Sequence, residues 1–265
     1  MSKPSVTIIG TGRVGKAFSI ALREAGFEVS QMYGKEDEIT SLGELVFITV
    51  PDNEIRKVSI ALAEDFEDLS GKTFVHCSGT LPSKILSDLQ SKGAKTGCFH
   101  PLQSVSPKTV SFNGIYFDIE GEEETQDQLV EIASSLGAKW IKVSAKEKEM
   151  LHVSAVIASN YLVTLSDLAF RASEATGISQ RVLTDALLPL MKSSLDNLEH
   201  LKPSEALTGP IARGDIQTVQ KHLKLLENDE ELLSIYKKLG LLTLELSGSD
   251  IKDNTIKFRL YDVLK

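Results

Sequence analysis

The sequence of 265 residues is 42% hydrophobic and 25% charged, an ordinary balance that leaves room for two cores and excludes a disordered or fibrous chain. A formal net charge of -8, with no clustered run of lysine and arginine, excludes a nucleic-acid partner, whose phosphates demand a basic face. No stretch approaches the roughly 18 consecutive apolar residues of a membrane span, no signal-peptide layout opens the chain, and Cys77 and Cys98 are the only cysteines; the expectation is a cytoplasmic protein with two buried thiols and no membrane association.

Residues Val6 to Ile9 form a short β-branched run ending at Gly10, which reads as a strand buried on both faces. The spacing of Val14, Ala17, Phe18, Ala21 and Leu22 predicts a helix from Arg13 to Ala25, stopped by Gly26. Strands over 27–32, 45–50 and 72–77 follow, with amphipathic helices near 53–65 and 82–91. Alternation of this kind implies a parallel sheet with right-handed crossovers. Further strands are expected over 95–99, 115–119 and 140–143, the last after a helix over 123–136. From residue 145 the pattern changes to apolar stretches at helical spacing over 147–176, 180–198, 215–226 and 230–247. The fold class is therefore α/β, with a sheet domain over 1–145 followed by an all-helical domain over 146–265. Residues 250–265 are mixed and charged, and read as a tail docking on the body or on a partner subunit.

Gly10-Thr11-Gly12-Arg13-Val14-Gly15 matches G-x-G-x-x-G, and its place between a buried strand and a helix is what gives the match weight. Gly10 permits the tight turn, Gly12 lets backbone approach a pyrophosphate, and Gly15 lets the helix pack against the strand. The free N–H groups of the helix start then face the anion. This is the pattern of a Rossmann NAD(P)-binding domain. An acid at the end of the second strand would select NAD through the ribose 2′-hydroxyl, but that region reads Gln31-Met32-Tyr33-Gly34-Lys35. Tyr33 is placed to lie against adenine and Lys35 to pair with a 2′-phosphate, so NADP is the expected cofactor, with NAD as the alternative because Glu36, Asp37 and Glu38 follow closely. Val50, Pro51 and Asp52 after the third strand and Ser78 after the fourth complete the set of strand-end loops at the ligand edge.

Hydride transfer asks the protein for positioning, a proton donor or acceptor, and a dry cleft. His100 follows the fifth strand at the same edge, where an imidazole exchanges protons near neutral pH; shaping the turn before Pro101 is an equal reading of it. On the first helix of the second half, His152 and Ser159 share a face with Asn160 partly beside them, polar groups on an apolar helix that need either a substrate or a structural partner. Thr208 and Arg213 lie in the segment 207–215, where Gly209-Pro210 fixes a turn and Asp215 is placed to cap the next helix, leaving the Arg213 fork to face a carboxylate or phosphate.

The runs G-T-G-R-V-G, V-F-I-T-V-P-D, H-C-S-G-T-L, G-C-F-H-P-L-Q-S, A-S-N-Y-L-V and A-L-T-G-P-I-A-R-G-D, in this order over nearly the whole chain, resemble the Rossmann-like proteins that carry a C-terminal helical domain of unknown function. That family is described as NADP-dependent oxidoreductases; its first domain is similar to deazaflavin-dependent NADP reductase, and its layout to pyrroline-5-carboxylate reductase and ketopantoate reductase. The resemblance implies a helical domain like the C-terminal domain of 6-phosphogluconate dehydrogenase, supporting a homodimer and a cleft for a small substrate. Related β-hydroxyacid and ketopantoate enzymes use a lysine with a nearby asparagine on the first helix of the second domain. His152 takes the corresponding position here, which implies a histidine donor in its place. The expected function is an NADP-dependent oxidoreductase acting on a small carbonyl, imine or hydroxy acid, with His152, His100 and Asn160 catalytic and Ser159, Thr208 and Arg213 on the substrate. The alternative is a catalytically silent NADP(H)-binding sensor.

Overall fold

The computed structural model describes residues 3–248, 251 and 253–265; Met1, Ser2 and the first residues of the expected tail, Asp250 and Lys252, lie outside the described residues together with Ser249. The chain divides into two compact units, 1–161 and 162–265. The first unit extends past the expected boundary at 145, because the helix that begins there packs onto the sheet through a buried lysine.

In the first unit, β1 (Val6–Ile9), α1 (Arg13–Glu24), β2 (Val29–Tyr33), β3 (Leu45–Ile48), α2 (Asp52–Asp65), β4 (Thr73–His76), α3 (Ser87–Gln90), β5 (Lys95–Pro101), β6 (Tyr116–Gly121), α4 (Glu123–Ser135), β7 (Lys139–Lys142) and α5 (Ala145–Ala155) follow one another. The seven strands form one sheet in the order β2-β1-β3-β4-β5-β6-β7. Period-two alternation sorts the strand side chains into two cores. Ile8, Phe47, Val75, Phe99 and Phe117 face α1 and α4, whereas Ile9, Val46, Ile48 and Phe74 face α2 and α3. Phe18 of α1 is the hub of the first core, with ring centroids 4.7 Å from Phe112 and 4.8 Å from Phe47.

Two local expectations are corrected. The stretch near 82–91 is a 3-10 turn over Ser83–Leu86 followed by the four-residue α3, not one amphipathic helix. The sheet is parallel except at β5–β6, which pair antiparallel. Residues 102–115 between these strands contain no helix, and without a crossover element the chain can only turn back beside the strand it has left.

The second unit is helical: α6 (Tyr161–Ser173), α7 (Gln180–Leu198), α8 (Pro203–Ala206), α9 (Ile216–Leu225), α10 (Glu230–Leu246) and α11 (Asn254–Leu264). Residues 250–265 are thus largely a helix rather than a loose tail. Asp253 caps it by accepting from Thr255 N, and Leu260 and Leu264 are buried in the unit's core beside Ile211 and Val219. Gly240 makes room for this, since a Cβ there would stand 2.7 Å from Leu264 Cδ2. Arg171 grips Asp229 through two guanidinium nitrogens at 2.8 and 3.1 Å, while Asp229 also accepts from Leu232 N at the start of α10.

The helical run Ala145–Thr176 is long and apolar enough by composition to meet the criterion for a membrane span. Its apolar residues are not consecutive: Ser154, Ser159, Asn160, Thr164, Ser166 and Asp167 interrupt them.

Candidate functional site

The strand order places β1 between β2 and β3, so the chain leaves β1 in one direction and returns in the other, and the crevice outside their carboxyl ends is where ligands bind in open α/β sheets. The glycine turn sits there. Gly10 has φ +110°, a conformation that side chains rarely adopt. A Cβ on Gly15 would lie 2.0 Å from Gly10 O, so helix and turn pack closer than any side chain permits; Gly12 has open space around it. Thr49, just after β3, donates its hydroxyl to Gly10 O at 2.7 Å and ties the turn to the neighbouring strand. The first turn of α1 has neither a side-chain cap nor an acidic residue, so its N–H groups and positive dipole end are open to an anion. Thr11 and Arg13 are exposed on this turn, and Val14 packs half-buried against the aromatic core.

At the end of β2, Tyr33 departs from expectation. Its ring is buried in the core beside Ile9 and Ile48, and its hydroxyl donates to Ser41 O at 3.0 Å, so it is not presented to an adenine. A register shift in β2 decides this: the pairing skips Ser30, so Val29 lies in the core beneath α1 while Tyr33 turns to the opposite core. Lys35 is exposed. Asp37 folds back to accept from Gly34 N at 2.6 Å, bringing a carboxylate to the strand end that the residues up to Lys35 lack.

The loops after β3 and β4 are joined by hydrogen bonds. Val50 leads to Pro51, the residue before α2, and Asp52 opens that helix. Ser78 donates to Asp52 Oδ2 at 2.7 Å and accepts from Thr80 N and Leu81 N, so its hydroxyl is already satisfied within the protein.

Beside this edge lies a cavity of about 700 Å³, lined entirely by first-unit residues, among them Arg13, His100, His152, Ser154, Ser159 and Asn160. The expected trio of His152, Ser159 and Asn160 thus shares one cavity with His100. A wide π turn over Val156–Asn160 follows α5, carrying Ser159 and Asn160 at the cavity; such insertions recur at functional sites. A second cavity, of about 520 Å³, opens near Lys3, Phe27 and Glu44, at the amino ends of the strands and away from the glycine turn.

The imidazoles of His100 and His152 stand 5.9 Å apart. Gly79 allows this approach, because a Cβ there would sit 2.2 Å from His152 Nδ1 and 2.9 Å from His100 Cε1. His152 Nδ1 is buried without a hydrogen-bond partner. Burial first, and then the neighbouring His100 and Lys148 charges, hold His152 below its ordinary value of 6.5, so this ring is mainly neutral at pH 7.

Behind His100 lies a buried ion pair that escaped sequence reasoning. The antiparallel register sets Asp118 of β6 directly opposite His100 of β5. Asp118 Oδ2 meets His100 Nδ1 at 2.6 Å, while its Oδ1 accepts from Lys148 Nζ at 2.9 Å. Lys148 also donates to Ser78 O at 2.5 Å and has no exposed surface. Burial works against its charged form, but the adjacent Cys98 sulfur and the Asp118 carboxylate outweigh it and raise the ammonium above its ordinary value. Burial pushes the Cys98 thiol up to about 12, so the sulfur is uncharged at neutral pH and Asp118 is the countercharge. A lysine is therefore present on this helix after all, one turn before His152. Its place in the charged run Lys146-Glu147-Lys148-Glu149 hides it, since such a run reads as a solvated face.

Thr208 and Arg213 belong to the second unit. Thr208 lines a cavity of about 380 Å³ with Ile211, His222 and Tyr236. Arg213 is exposed on the turn, and Asp215 caps α9 by accepting from Thr218 N at 3.0 Å.

Residues 115–243 match a family described as a domain of unknown function, DUF2520, in agreement with the resemblance carried by the motifs. No curated protein matches the sequence. Among solved structures, a candidate NADP oxidoreductase of Bacteroides fragilis superposes with a TM-score of 0.77 at 23% identity, covering 92% of this chain and 98% of that one. A Thermotoga maritima protein designated TM1727 gives 0.70 at 26% identity, covering 92% and 99%. A reductive aminase of Aspergillus terreus, in complex with NADPH and ethyl levulinate, gives 0.65 at 16% identity with both chains fully covered. These likenesses establish the fold: a Rossmann-type sheet followed by a helical C-terminal region.

Proposed function

We propose that the protein is an NADP-dependent oxidoreductase that moves a hydride to or from a small carbonyl, imine or hydroxy-acid substrate, with NAD as a second cofactor. The observation that carries this reading is the glycine turn at the β1/β3 crevice, where the close packing of Gly15 on Gly10, the open space at Gly12 and the uncapped start of α1 form a cradle that a diphosphate fits. Gly10, Gly12 and the backbone N–H groups of Arg13 and Val14 would hold the diphosphate. Lys35 would meet a 2′-phosphate, and Asp37 would serve a 2′-hydroxyl. When bound, the nicotinamide supplies or takes the hydride. The protein's share is the proton and the alignment: His100 exchanges the proton, neutral His152 hydrogen-bonds the reacting oxygen or nitrogen, and Asn160 and Ser159 orient the substrate. Arg13 lends positive charge to the same cavity. The reductive aminase of this fold holds NADPH with a keto ester, which favours a carbonyl or imine over other substrates.

Calorimetric titration of the full chain with NADPH and with NADH tests this reading, followed by NADPH oxidation against a panel of ketones, imines and 2-oxo acids. Saturable uptake, tighter for NADPH, and turnover of at least one compound are expected; no uptake of either nucleotide would end the oxidoreductase reading.

We infer also that the second unit pairs with a second copy of the chain. Val163, Leu190, Leu242 and Phe258, on four helices of this unit, are each more than 60% exposed, large apolar side chains that a second copy would take out of water. Sedimentation equilibrium is expected to return a dimer, and a monomer at micromolar concentration would count against it.

A further inference from the structure

We propose that Lys148 is a positioning residue: by anchoring the Asp118 carboxylate it fixes the proton of His100 on Nδ1 and leaves Nε2 as the nitrogen available to the cavity. This rests on the reading of that cavity as the reaction site, and adds which histidine nitrogen the site uses.

The argument follows from counting donors and acceptors. A lysine ammonium has three protons and no acceptor, and a carboxylate only accepts. Lys148 Nζ spends donors on Ser78 O and on Asp118 Oδ1. The remaining contact, Asp118 Oδ2 to His100 Nδ1 at 2.6 Å, then has only one group able to carry the proton, the imidazole nitrogen. Water cannot compete for the carboxylate, because Lys148 is fully buried and the Asp118 side chain is 2% exposed. The two strands hold the geometry from beneath, since His100 and Asp118 are register partners. His100 is only partly buried and lines the cavity, so the ring bridges a sealed ion pair and an open pocket. A neutral ring locked this way offers Nε2 as an acceptor, and a charged ring offers Nε2–H as a donor. In both states the proton it exchanges with substrate passes through Nε2.

Other charged and titratable groups around His100 are His152 at 5.9 Å between ring centroids, Cys98 two residues earlier on β5, Arg13 across the cavity and the buried His76 of β4. None replaces Asp118: Arg13 has no acceptor, and His76 Nδ1 is taken by Ser78 N. His152 Nδ1 makes no hydrogen bond, and the Cys98 thiol is committed to Ser78 O.

The test is long-range ¹H–¹⁵N NMR of the histidine rings in the full chain at about pH 8, without nucleotide, with the His100 signals assigned by their loss in His100→Asn. The wild type is expected to show protonated Nδ1 and bare Nε2. In Lys148→Met the ratio of this tautomer to the Nε2–H form should fall about tenfold or more, the scale of one hydrogen bond to a charged group, and Lys148→Arg should restore part of it. If the methionine variant fails to fold, Lys148→Gln, which keeps a donor toward Ser78 O, takes its place. A neutral wild-type ring protonated on Nε2 and bare on Nδ1 overturns the proposal on its own, as does an unchanged ratio in a folded Lys148→Met or Lys148→Gln variant. The spectrum is read without cofactor, so the two readings fail separately. A locked tautomer in a protein that binds no NADPH retires the oxidoreductase and leaves the lock, whereas NADPH turnover with an unlocked ring does the reverse.

Discussion

Replacing Asp118 by alanine is expected to cost the fold about 3–5 kcal/mol, the range found when one partner of a buried ion pair is removed. The reason is what remains. Lys148 has no exposed surface through which to regain water, and among the described residues its other oxygen partner is the Ser78 carbonyl. His100 Nδ1 loses its acceptor at the same time. The damage should therefore exceed that of an ordinary surface aspartate, for which a few tenths of a kcal/mol is usual. Asp118→Leu combined with Lys148→Met should recover much of the loss, since exchanging a whole buried pair for apolar side chains is often neutral or stabilising. Urea unfolding at pH 7 with a double-mutant cycle measures this. Additive single losses in the double variant would show that the two charges do not depend on one another.

A second large effect is expected at low pH from His76, the last residue of β4. Its ring is fully buried; Nδ1 accepts from Ser78 N at 3.2 Å and Nε2 has no partner. Burial, and then the nearby Lys148 charge, lower it from 6.5 to about 4. In the unfolded chain the ring takes up a proton near 6.5, while in the folded protein it resists until about 4. Between these values the unfolded state binds more protons, so stability is full above 6.5 and falls as the solution is acidified, the cost being complete near pH 4. A gap of about 2.5 pH units at about 1.4 kcal/mol each amounts to about 3.5 kcal/mol. His76→Asn keeps an acceptor for Ser78 N and removes the titration. Its unfolding free energy should thus decline less steeply than that of the wild type between about pH 7 and pH 4. Parallel curves for the two proteins would refute the assignment.

Much of this architecture is legible in the amino-acid order because the strands are written in β-branched and aromatic runs. The runs at Val6 to Ile9 and Leu45 to Ile48 are each buried on both faces, which only a covered sheet allows. The glycine turn is legible for a similar reason: spacing and context both constrain it. What stayed hidden depends on contacts between segments far apart in the chain. Asp118 sits in Tyr116-Phe117-Asp118-Ile119-Glu120, an alternation that gives no sign of which polar side chain is sealed in. Lys148 stands thirty residues further on, among charged neighbours. Tyr33 could not have been placed from alternation alone, because the pairing of β2 skips Ser30 and changes the face that follows, whereas α11 was open to reading from Asp253 with Ile256, Leu260 and Leu264 at four-residue intervals. For α11 a local signal was present, but charged and polar neighbours masked it.

The backward run of β6 beside β5 has a consequence for how this site can vary. In a parallel sheet the opening residues of a strand lie at the edge opposite the ligand, so a carboxylate near the start of a strand is out of reach. Here the reversal delivers Asp118, the third residue of its strand, to the end of β5 that carries His100. Within the linker, Leu102 N extends the pairing to Tyr116 O and Phe112 is buried against Phe18, so it is the largely exposed stretch over 106–111 that can lengthen, shorten or change composition while backbone register keeps acid and imidazole face to face.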